Sequence, residues 1–347
     1  MVIVLNKDCT EEQKKNLEAL LEKKNLKIKT VSGEEDTILA AVGKVSVDLR
    51  EIEAVPGVER VIPISKTSVP LYRVAYCGKP GCNAEAAAIG YFDKSAQTVA
   101  LDSFDEVFLS VENGSVDYGM IPIENSLGGS VYQNYDNFMK YKDAKISGAI
   151  AIKISYCLLG VKGAKLSDIK KVYSHPQALL QTRGFLGGYK DWQQIEAYNT
   201  SGAALFVSDT GSTENAAVAS KINASIYGLD ILAEGIEDDP NNFTRFVVIS
   251  KTGSVAGGNM ASFMFKAKNE PGSLYRILGV LNDFGTNLTR LESRPIPGRP
   301  WEYQFYADAD LKNVSGQPEK YVEKIIEKLK EKAEEVRLLG VYSEVGR

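Results

Sequence analysis

Short apolar runs alternate with amphipathic stretches along the chain and divide it into three blocks. The first block, residues 1–67, has the order strand, helix, strand, strand, helix, strand. Thr10 and Gln13 have the spacing of a capping box at the start of its first helix, and three leucines recur on one face of that helix. The pattern predicts a ferredoxin-like βαββαβ domain.

The last block, residues 259–347, has the same order of elements without repeating the sequence. Its first helix is predicted to carry Pro271 in the first turn and to end at Gly285. The inner face of its second helix is predicted to consist of Val322, Ile325, Ile326, Leu329 and Ala333. We therefore expect a second ferredoxin-like domain, separated from the middle block by a Gly/Ser-rich linker at 251–259.

The middle block, residues 72–250, alternates strand-like and helix-like segments. This alternation predicts α/β layers with largely parallel sheets. About 180 residues are enough for two lobes with a cleft between them. The expected architecture is thus an α/β domain flanked by two α+β domains.

Composition narrows the class of protein. The 347 residues are 44% hydrophobic and 25% charged, which is typical of a soluble globular protein. The net charge of −4 and the lack of a basic block make nucleic acid an unexpected partner. Neither a signal-peptide pattern nor a long apolar run is found, so we expect a cytoplasmic protein without a membrane segment.

The chain has four cysteines without CxxC spacing and a single histidine, His175. Free thiols are the expected state of the cysteines, and neither a metal nor another cofactor is expected. Acid–base chemistry would then depend mainly on carboxylates, hydroxyls and water. His175 itself is interpreted as a hydrogen-bonded structural residue.

Polar residues cluster just after strand-like runs of the middle block. The junctions contain Gly78 and Gly81; Glu124, Asn125 and Ser126; Ser174, His175, Gln177 and Gln181; Asn199, Thr200 and Ser201; and, in "NNFTRF", Thr244 and Arg245. Each cluster alone could simply cap a helix. Together they predict one cavity at the carboxyl ends of the strands, where helix N-termini offer N–H groups to a small polar anion.

These motifs resemble the prephenate dehydratase family, which includes the arogenate dehydratases. The stretches "IPIENSLGGSV", "SHPQALLQ" and "DDPNNFTRF" have the order and spacing of that family. The last block resembles an ACT domain, and residues 1–67 are similar to the ferredoxin-like regulatory domain of some DAHP synthases. The resemblance implies a two-lobed catalytic domain, similar to periplasmic binding proteins, between two ferredoxin-like domains.

The resemblance also implies an activity. Prephenate would lose CO2 and its ring hydroxyl to give phenylpyruvate in L-phenylalanine biosynthesis; alternatively, arogenate would give L-phenylalanine directly. Thr244 would donate to the departing oxygen, with Glu124 and Asn125 as further catalytic residues. The residues expected to bind substrate are Ser126, Ser174, Gln181, Thr200, Arg245 and Phe246. Arg245 could equally brace its loop.

A regulatory site and an assembly are implied as well. L-Phenylalanine is expected as a feedback effector, bound between subunits by Gly272, Ser273, Leu274, Glu292 and Ser293. Such a site requires a homodimer or homotetramer. Residues 1–67 are interpreted as a second regulatory or assembly module that does not contribute to the active site.

The sequence departs from the family pattern at one junction, where Cys82, Asn83 and Ala84 replace the usual threonine or alanine, aromatic residue and serine. This departure keeps open a catalytically impaired paralogue that only senses a metabolite. A solute-binding receptor on a similar two-lobed scaffold is a third hypothesis, which the ACT-like block and the lack of an export signal disfavour.

Overall fold

The structure is a computed structural model, which describes residues 2–6, 9–24, 26–32, 37–42, 52, 55–62, 72–253, 257–312, 314 and 317–345. The chain forms two compact units, Met1–Val69 and Pro70–Arg347. Within the described ranges, no helix combines the length and the apolar character needed to cross a bilayer.

In its described residues, the first unit forms an antiparallel sheet with a helix packed on it. Its elements are β1 (Val2–Leu5), α1 (Glu11–Lys23), β2 (Lys27–Ser32), β3 (Thr37–Val42) and β4 (Val58–Ile62). The strand order is β2-β3-β1-β4. The capping box is confirmed: Thr10 Oγ1 accepts from Gln13 N at 3.3 Å, and Gln13 Oε1 accepts from Thr10 N at 2.9 Å. The second helix predicted for this block lies largely outside the described residues.

The second unit begins with a two-lobed α/β body. The first lobe contains β5 (Tyr72–Cys77), α2 (Asn83–Phe92), β6 (Ala96–Leu101), α3 (Phe104–Glu112), β7 (Tyr118–Asn125), β8 (Gly129–Ser130), α4 (Tyr132–Lys140) and β9 (Lys145–Lys153). The second lobe contains β10 (Cys157–Gly160), β11 (Lys171–Ser174), α5 (Pro176–Gln181), α6 (Arg183–Leu186), β12 (Gln193–Glu196), α7 (Thr200–Thr210), β13 (Asn215–Ala219), α8 (Ile222–Tyr227) and β14 (Asp230–Glu234). Strand β15 (Phe243–Ser250) then returns to the first lobe.

The C-terminal segment, defined as residues 259–347, adds a four-stranded sheet with two helices. Its elements are β16 (Met260–Lys266), α9 (Ser273–Asp283), β17 (Asn287–Pro295), β18 (Tyr303–Asp310), α10 (Pro318–Lys332), β19 (Glu335–Tyr342) and β20 (Glu344–Val345). The strand order is β17-β18-β16-β19. When the strands of each block are counted from its first strand, this is the same order as β2-β3-β1-β4 in the first unit. Helix α9 begins two residues later than predicted, because Gly272 adopts φ 76° as its N-cap and leaves Pro271 outside the helix.

The sheets of the two lobes are mixed, so the expectation of largely parallel sheets was wrong in part. The order is β20-β9-β15-β7-β5-β6 in the first lobe and β12-β11-β13-β10-β14 in the second. The chain leaves the first lobe along β9 and comes back along the neighbouring β15. These two strands must therefore run antiparallel, and β15 is antiparallel to β7 as well.

The two faces of the C-terminal sheet bury different partners. Phe263 and Phe265 point to the side covered by α9 and α10, in a core with Ile277 and Val322. The opposite face contributes Met264, Tyr306, Leu339 and Tyr342 to the core of the first lobe, where they join Phe138 and Tyr141. The C-terminal sheet therefore packs directly against the lobe that carries β7 and β15.

Candidate functional site

A cleft of about 280 Å³ lies between the two lobes. Its polar lining consists of Cys77, Cys82, Asn83, Asn125, Tyr156, His175, Gln177, Gln181, Asn199, Thr200 and Thr244. Its apolar lining consists of Ala84, Phe104, Pro122, Val131, Ile154, Ala178 and Phe246. Among these described lining residues none has a carboxylate, ammonium or guanidinium group, so a bound anion would be recognised by neutral donors.

Asn125 and Thr244 form the central hydrogen bond of the cleft. They are paired across the antiparallel strands β7 and β15, and Asn125 Nδ2 donates to Thr244 Oγ1 at 2.9 Å. Asn125 Oδ1 accepts from the backbone N–H groups of Leu127 and Gly128 at 3.1 and 2.7 Å, which fixes the direction of the amide. Since the Thr244 oxygen accepts from Asn125, its own hydrogen is left for a bound molecule, and none of the described groups accepts it.

A ring of three side-chain amides supports this pair. Asn125 Nδ2 also donates to Asn242 Oδ1 at 2.7 Å, Asn242 Nδ2 donates to Gln181 Oε1 at 2.9 Å, and Gln181 Nε2 faces Asn125 Oδ1 at 3.5 Å. Asn242 is fully buried. Gln181 belongs to the second lobe and Asn125 to the first, so the ring joins the lobes at the bottom of the cleft. Asn242 was not predicted as a site residue from the sequence, although it directly precedes the Phe-Thr-Arg run.

Tyr156 and His175 are neutral donors at the cleft wall. The Tyr156 hydroxyl donates to Gln181 Oε1 at 3.2 Å, and burial together with Glu237 raises the pKa of Tyr156 to about 12. His175 Nδ1 accepts from Gln177 N at 3.2 Å, which places the hydrogen of the neutral ring on Nε2. Burial lowers the pKa of His175, with partial opposition from the charge of Glu196.

Two longer helices begin at the cleft. Cys82 is the N-cap of α2; its sulfur lies near the N–H groups of Ala84 and Glu85 without a capping hydrogen bond, so the N–H group of Asn83 is the one at this end that faces no described acceptor. Thr200 is the first residue of α7, which is capped by Asn199 through Gly202 N at 2.6 Å. The N-terminal ends of helices carry partial positive charge and attract anions. The cleft can therefore hold carboxylates without a cationic side chain.

Glu124 and Arg245, predicted as catalytic and substrate-binding residues, are not brought into the cleft. Side chains alternate along a strand, so they lie on the face opposite Asn125 and Thr244. Arg245 Nη1 lies 3.1 Å from Asp308 Oδ2, and its Nε lies 2.8 Å from Glu344 Oε1. Glu124 Oε2 accepts from Arg290 Nη2 at 2.6 Å.

Ser126 and Ser174, also predicted to bind substrate, fix backbone beside the cleft. Ser126 Oγ donates to Asn241 O at 3.1 Å and accepts from Phe243 N at 2.9 Å. Ser174 Oγ is buried and donates to Val218 O at 2.6 Å. Of the other predicted substrate-binding residues, Gln181, Thr200 and Phe246 do line the cleft.

The five residues predicted to bind L-phenylalanine fall into two places. Gly272, Ser273 and Leu274 line a cavity of about 330 Å³ at the start of α9, and the Ser273 hydroxyl is buried without a described hydrogen-bond partner. Glu292 and Ser293 are on strand β17 and are not among the described lining residues of that cavity. Glu292 accepts a hydrogen bond from Ser130 Oγ at 2.5 Å.

Comparison with known proteins identifies relatives of most of the chain. A sequence model described as prephenate dehydratase matches residues 74–254, and one described as the DAHP synthase ferredoxin-like domain matches residues 1–66. A bifunctional chorismate mutase/prephenate dehydratase of Aquifex aeolicus (strain VF5) is 37% identical over 78% of this chain and 73% of that protein. Arogenate dehydratase/prephenate dehydratase 1 of Arabidopsis thaliana is 36% identical over 78% of this chain and 71% of that protein.

Two solved structures have similar folds. The prephenate dehydratase of Arthrobacter aurescens, solved in complex with L-Phe, superposes with a TM-score of 0.71 at 27% identity, over 78% of this chain and 90% of that chain. GqqA, described as a novel type of quorum-quenching acylase, gives a TM-score of 0.70 at 31% identity, over 78% and 97%.

Proposed function

We propose, because the chain belongs to the prephenate dehydratase family, that it converts prephenate to phenylpyruvate by decarboxylative dehydration. The hydrogen bond from Asn125 to Thr244 carries the proposal. In this reaction the bond from the ring to the carboxylate breaks, its electron pair completes the aromatic ring, and the ring hydroxyl departs. The barrier is the expulsion of hydroxide, which requires a donor at that oxygen.

Thr244 is the proposed donor. Its oxygen accepts from Asn125 at 2.9 Å, so its hydrogen is directed toward a bound molecule. A hydroxyl is a weak acid in water, but a fixed donor is far more effective in a cleft that excludes water. Phe246 and Ile154 contribute apolar surface to the same lining. The departing hydroxide would receive the Thr244 proton and leave as water, and the Thr244 oxygen would regain a proton from solvent as the products leave.

The substrate carboxylates would be held by neutral groups. The first turns of α2 and α7 supply N–H groups, and His175 Nε2–H and the Gln177 amide are further donors at the wall. Recognition without cationic side chains favours the reaction, because a guanidinium paired with the reacting carboxylate would stabilise it against loss of CO2. Thr200 is the proposed contact at the α7 end.

Arogenate is the alternative substrate, and it differs from prephenate only in an ammonium group in place of the side-chain ketone. Cys82, Asn83 and Ala84, where the chain departs from the family pattern, all line the cleft. The test is to incubate the purified protein with each substrate and to measure phenylpyruvate by absorbance and L-phenylalanine by chromatography. Turnover of neither substrate would favour the metabolite-sensing paralogue.

The structural likeness to an acylase defines a competing activity. Hydrolytic acyl transfer commonly needs a nucleophile hydrogen-bonded to a base. In the described cleft, His175 makes no hydrogen bond to a serine, threonine or cysteine side chain. Burial raises the pKa of both Cys77 and Cys82 to about 11, which keeps these thiols protonated. These observations favour the dehydratase, and release of an amine from an acylated quorum-sensing signal would argue against it.

We further propose that L-phenylalanine regulates the enzyme through the C-terminal segment. Gly272–Leu274 of one subunit and Glu292–Ser293 of another would form the site, which requires at least a homodimer. The positive φ of Gly272 lets the backbone approach a ligand closely. Titration calorimetry tests this: absence of heat from L-phenylalanine with a protein that turns over substrate would contradict it.

Residues 1–67 are proposed to be a regulatory or assembly module. The match to a DAHP synthase ferredoxin-like domain supports this. Removing residues 1–67 should leave turnover within several-fold of the full chain while changing oligomer size or the response to an aromatic amino acid. A truncated protein that assembles normally and has lost all turnover would contradict the proposal.

A further inference from the structure

Strands β7 and β15 have a second face at the end where they carry Asn125 and Thr244. On that face Glu124 is paired with Arg245, one residue away from the cleft pair on each strand. On this face the C-terminal sheet buries Arg245, whereas Glu124 contacts Arg290 at the edge of the covered area and keeps 44% of its side chain exposed. The backbone that presents the proposed donor therefore also carries two side chains, Glu124 and Arg245, that contact the C-terminal segment.

Arg290 of strand β17 is the centre of the contacts on this face. Its Nη2 donates to Glu124 Oε2 at 2.6 Å, its Nη1 donates to the Tyr135 hydroxyl at 2.7 Å, and its Nε lies 3.8 Å from Asp308 Oδ2. Arg245 Nη1 lies 3.1 Å from the same oxygen of Asp308. Both guanidinium side chains are largely buried, so each depends on these carboxylates for compensation of its charge.

Other side chains of β17 contact the same segment of the first lobe. Glu292 accepts from Ser130 Oγ at 2.5 Å, and Arg294 forms a bidentate pair with Asp136 at 2.8 and 2.8 Å. Residues 290, 292 and 294 alternate along the strand and so point to one side. Strand β17 thus forms hydrogen bonds with both ends of the segment from Glu124 to Asp136, and this segment includes Asn125.

We propose that Arg290 is a positioning residue for the reaction, acting through Glu124 on the Asn125–Thr244 hydrogen bond; this rests on the proposed function. Glu124 and Asn125 share a peptide unit, so an anchored Glu124 side chain limits where the Asn125 amide can lie. A displacement of about 1 Å would break the 2.9 Å bond to Thr244 and can reduce rates by up to about a hundredfold. Activity of the cleft would then depend on the C-terminal segment.

The test uses the full chain with Arg290→Met, Arg290→Lys and Glu124→Gln. Arg337→Met is the matched control, because Arg337 also ties the C-terminal segment to the first lobe, by bonds to Phe138 O and Ala144 O at 2.6 Å. We expect Arg290→Met to lower kcat about tenfold with KM changed less than about threefold, and Arg290→Lys to recover part of the loss.

The remaining variants separate positioning from general stability. Glu124→Gln should lower kcat as Arg290→Met does. The double variant that combines these two substitutions should have a kcat no lower than that of the slower single variant. Arg337→Met should lower the Tm and leave kcat within about twofold of wild type. Equal loss of kcat in Arg290→Met and Arg337→Met, or unchanged kcat in Arg290→Met, would overturn the proposal.

Amide hydrogen exchange provides a readout that does not require turnover. Arg290→Met should raise exchange in peptides covering residues 118–131, while Arg337→Met should not. If wild type converts neither substrate, the proposed function fails, and exchange still decides whether Arg290 holds this segment. Unchanged exchange at 118–131 in Arg290→Met overturns the inference whatever the activity.

Discussion

Replacing Thr244 by valine removes the proposed donor with little change of shape. Threonine and valine are both β-branched and both suit a strand. The Thr244 oxygen takes part in one described hydrogen bond, which it accepts from Asn125 Nδ2. If this bond is lost, Asn125 Nδ2 still has two other acceptors, Asn242 Oδ1 at 2.7 Å and Phe243 O at 3.1 Å. The free energy of unfolding should therefore fall by only about 0.5–1.5 kcal/mol.

The effect on catalysis should be much larger. Loss of a positioned donor typically lowers the rate by about 10²–10⁴, which corresponds to about 3–5 kcal/mol in the activation free energy. The assay is phenylpyruvate formation at saturating prephenate, with urea unfolding of each variant alongside. Thr244→Ser keeps the hydroxyl and should retain kcat within about tenfold. The assignment would be refuted if the valine variant kept more than about a third of wild-type kcat, or if both variants lost activity equally.

Two further predictions concern the cleft wall. Asn242→Ala should cost about 1–3 kcal/mol of unfolding free energy, because the hydrogen bonds to Asn125 Nδ2 and Gln181 Oε1 are both lost while each of these atoms keeps another partner. It should also lower kcat about tenfold, since the Asn125 amide loses its support from the second lobe. The exposed Asn241 provides the control substitution, and equal effects at both positions would contradict the ring. His175→Asn should make stability less sensitive to acid. Burial lowers the pKa of His175 in the folded chain below its value in the unfolded chain, so the unfolded chain binds the proton first as the pH falls. Wild type should thus lose more unfolding free energy than the variant between pH 7.5 and 5, and parallel losses in denaturant titrations would show that His175 is not responsible.

The sequence predicted much of the fold because its elements follow local rules. The capping box at Thr10 and Gln13 and the glycine that ends α9 depend on neighbours a few residues away. The mixed sheets were not predicted, since the direction of β15 follows from a chain that crosses between lobes twice. Strand direction is set by contacts distant in sequence, which a pattern of apolar residues does not contain.

The candidate site, like the fold, could be predicted from the sequence only in part. Asn125 and Thr244 line the cleft, whereas Glu124 and Arg245 contact the C-terminal sheet. Neighbours on a strand cannot share a face, so each motif could supply only one of its two polar residues to the cleft. Which one faces the cleft depends on what covers the other side, and the partners on that side are 63 residues from Arg245 (Asp308) and 166 residues from Glu124 (Arg290). Asn242 was missed because a buried amide in a loop has no periodic signal.

The ring of three side-chain amides at the bottom of the cleft affects how far the two lobes can separate to admit a substrate. Gln181 comes from one lobe and Asn125 from the other, so the lobes cannot separate fully without breaking the bonds through Asn242. The Asn125–Thr244 hydrogen bond lies within the first lobe, so it would survive such a separation, whereas the support from Gln181 would be lost. Wider access to the cleft therefore has a free-energy cost that is set by hydrogen bonds among three uncharged side chains. Because no charged group takes part, this cost should depend little on salt concentration.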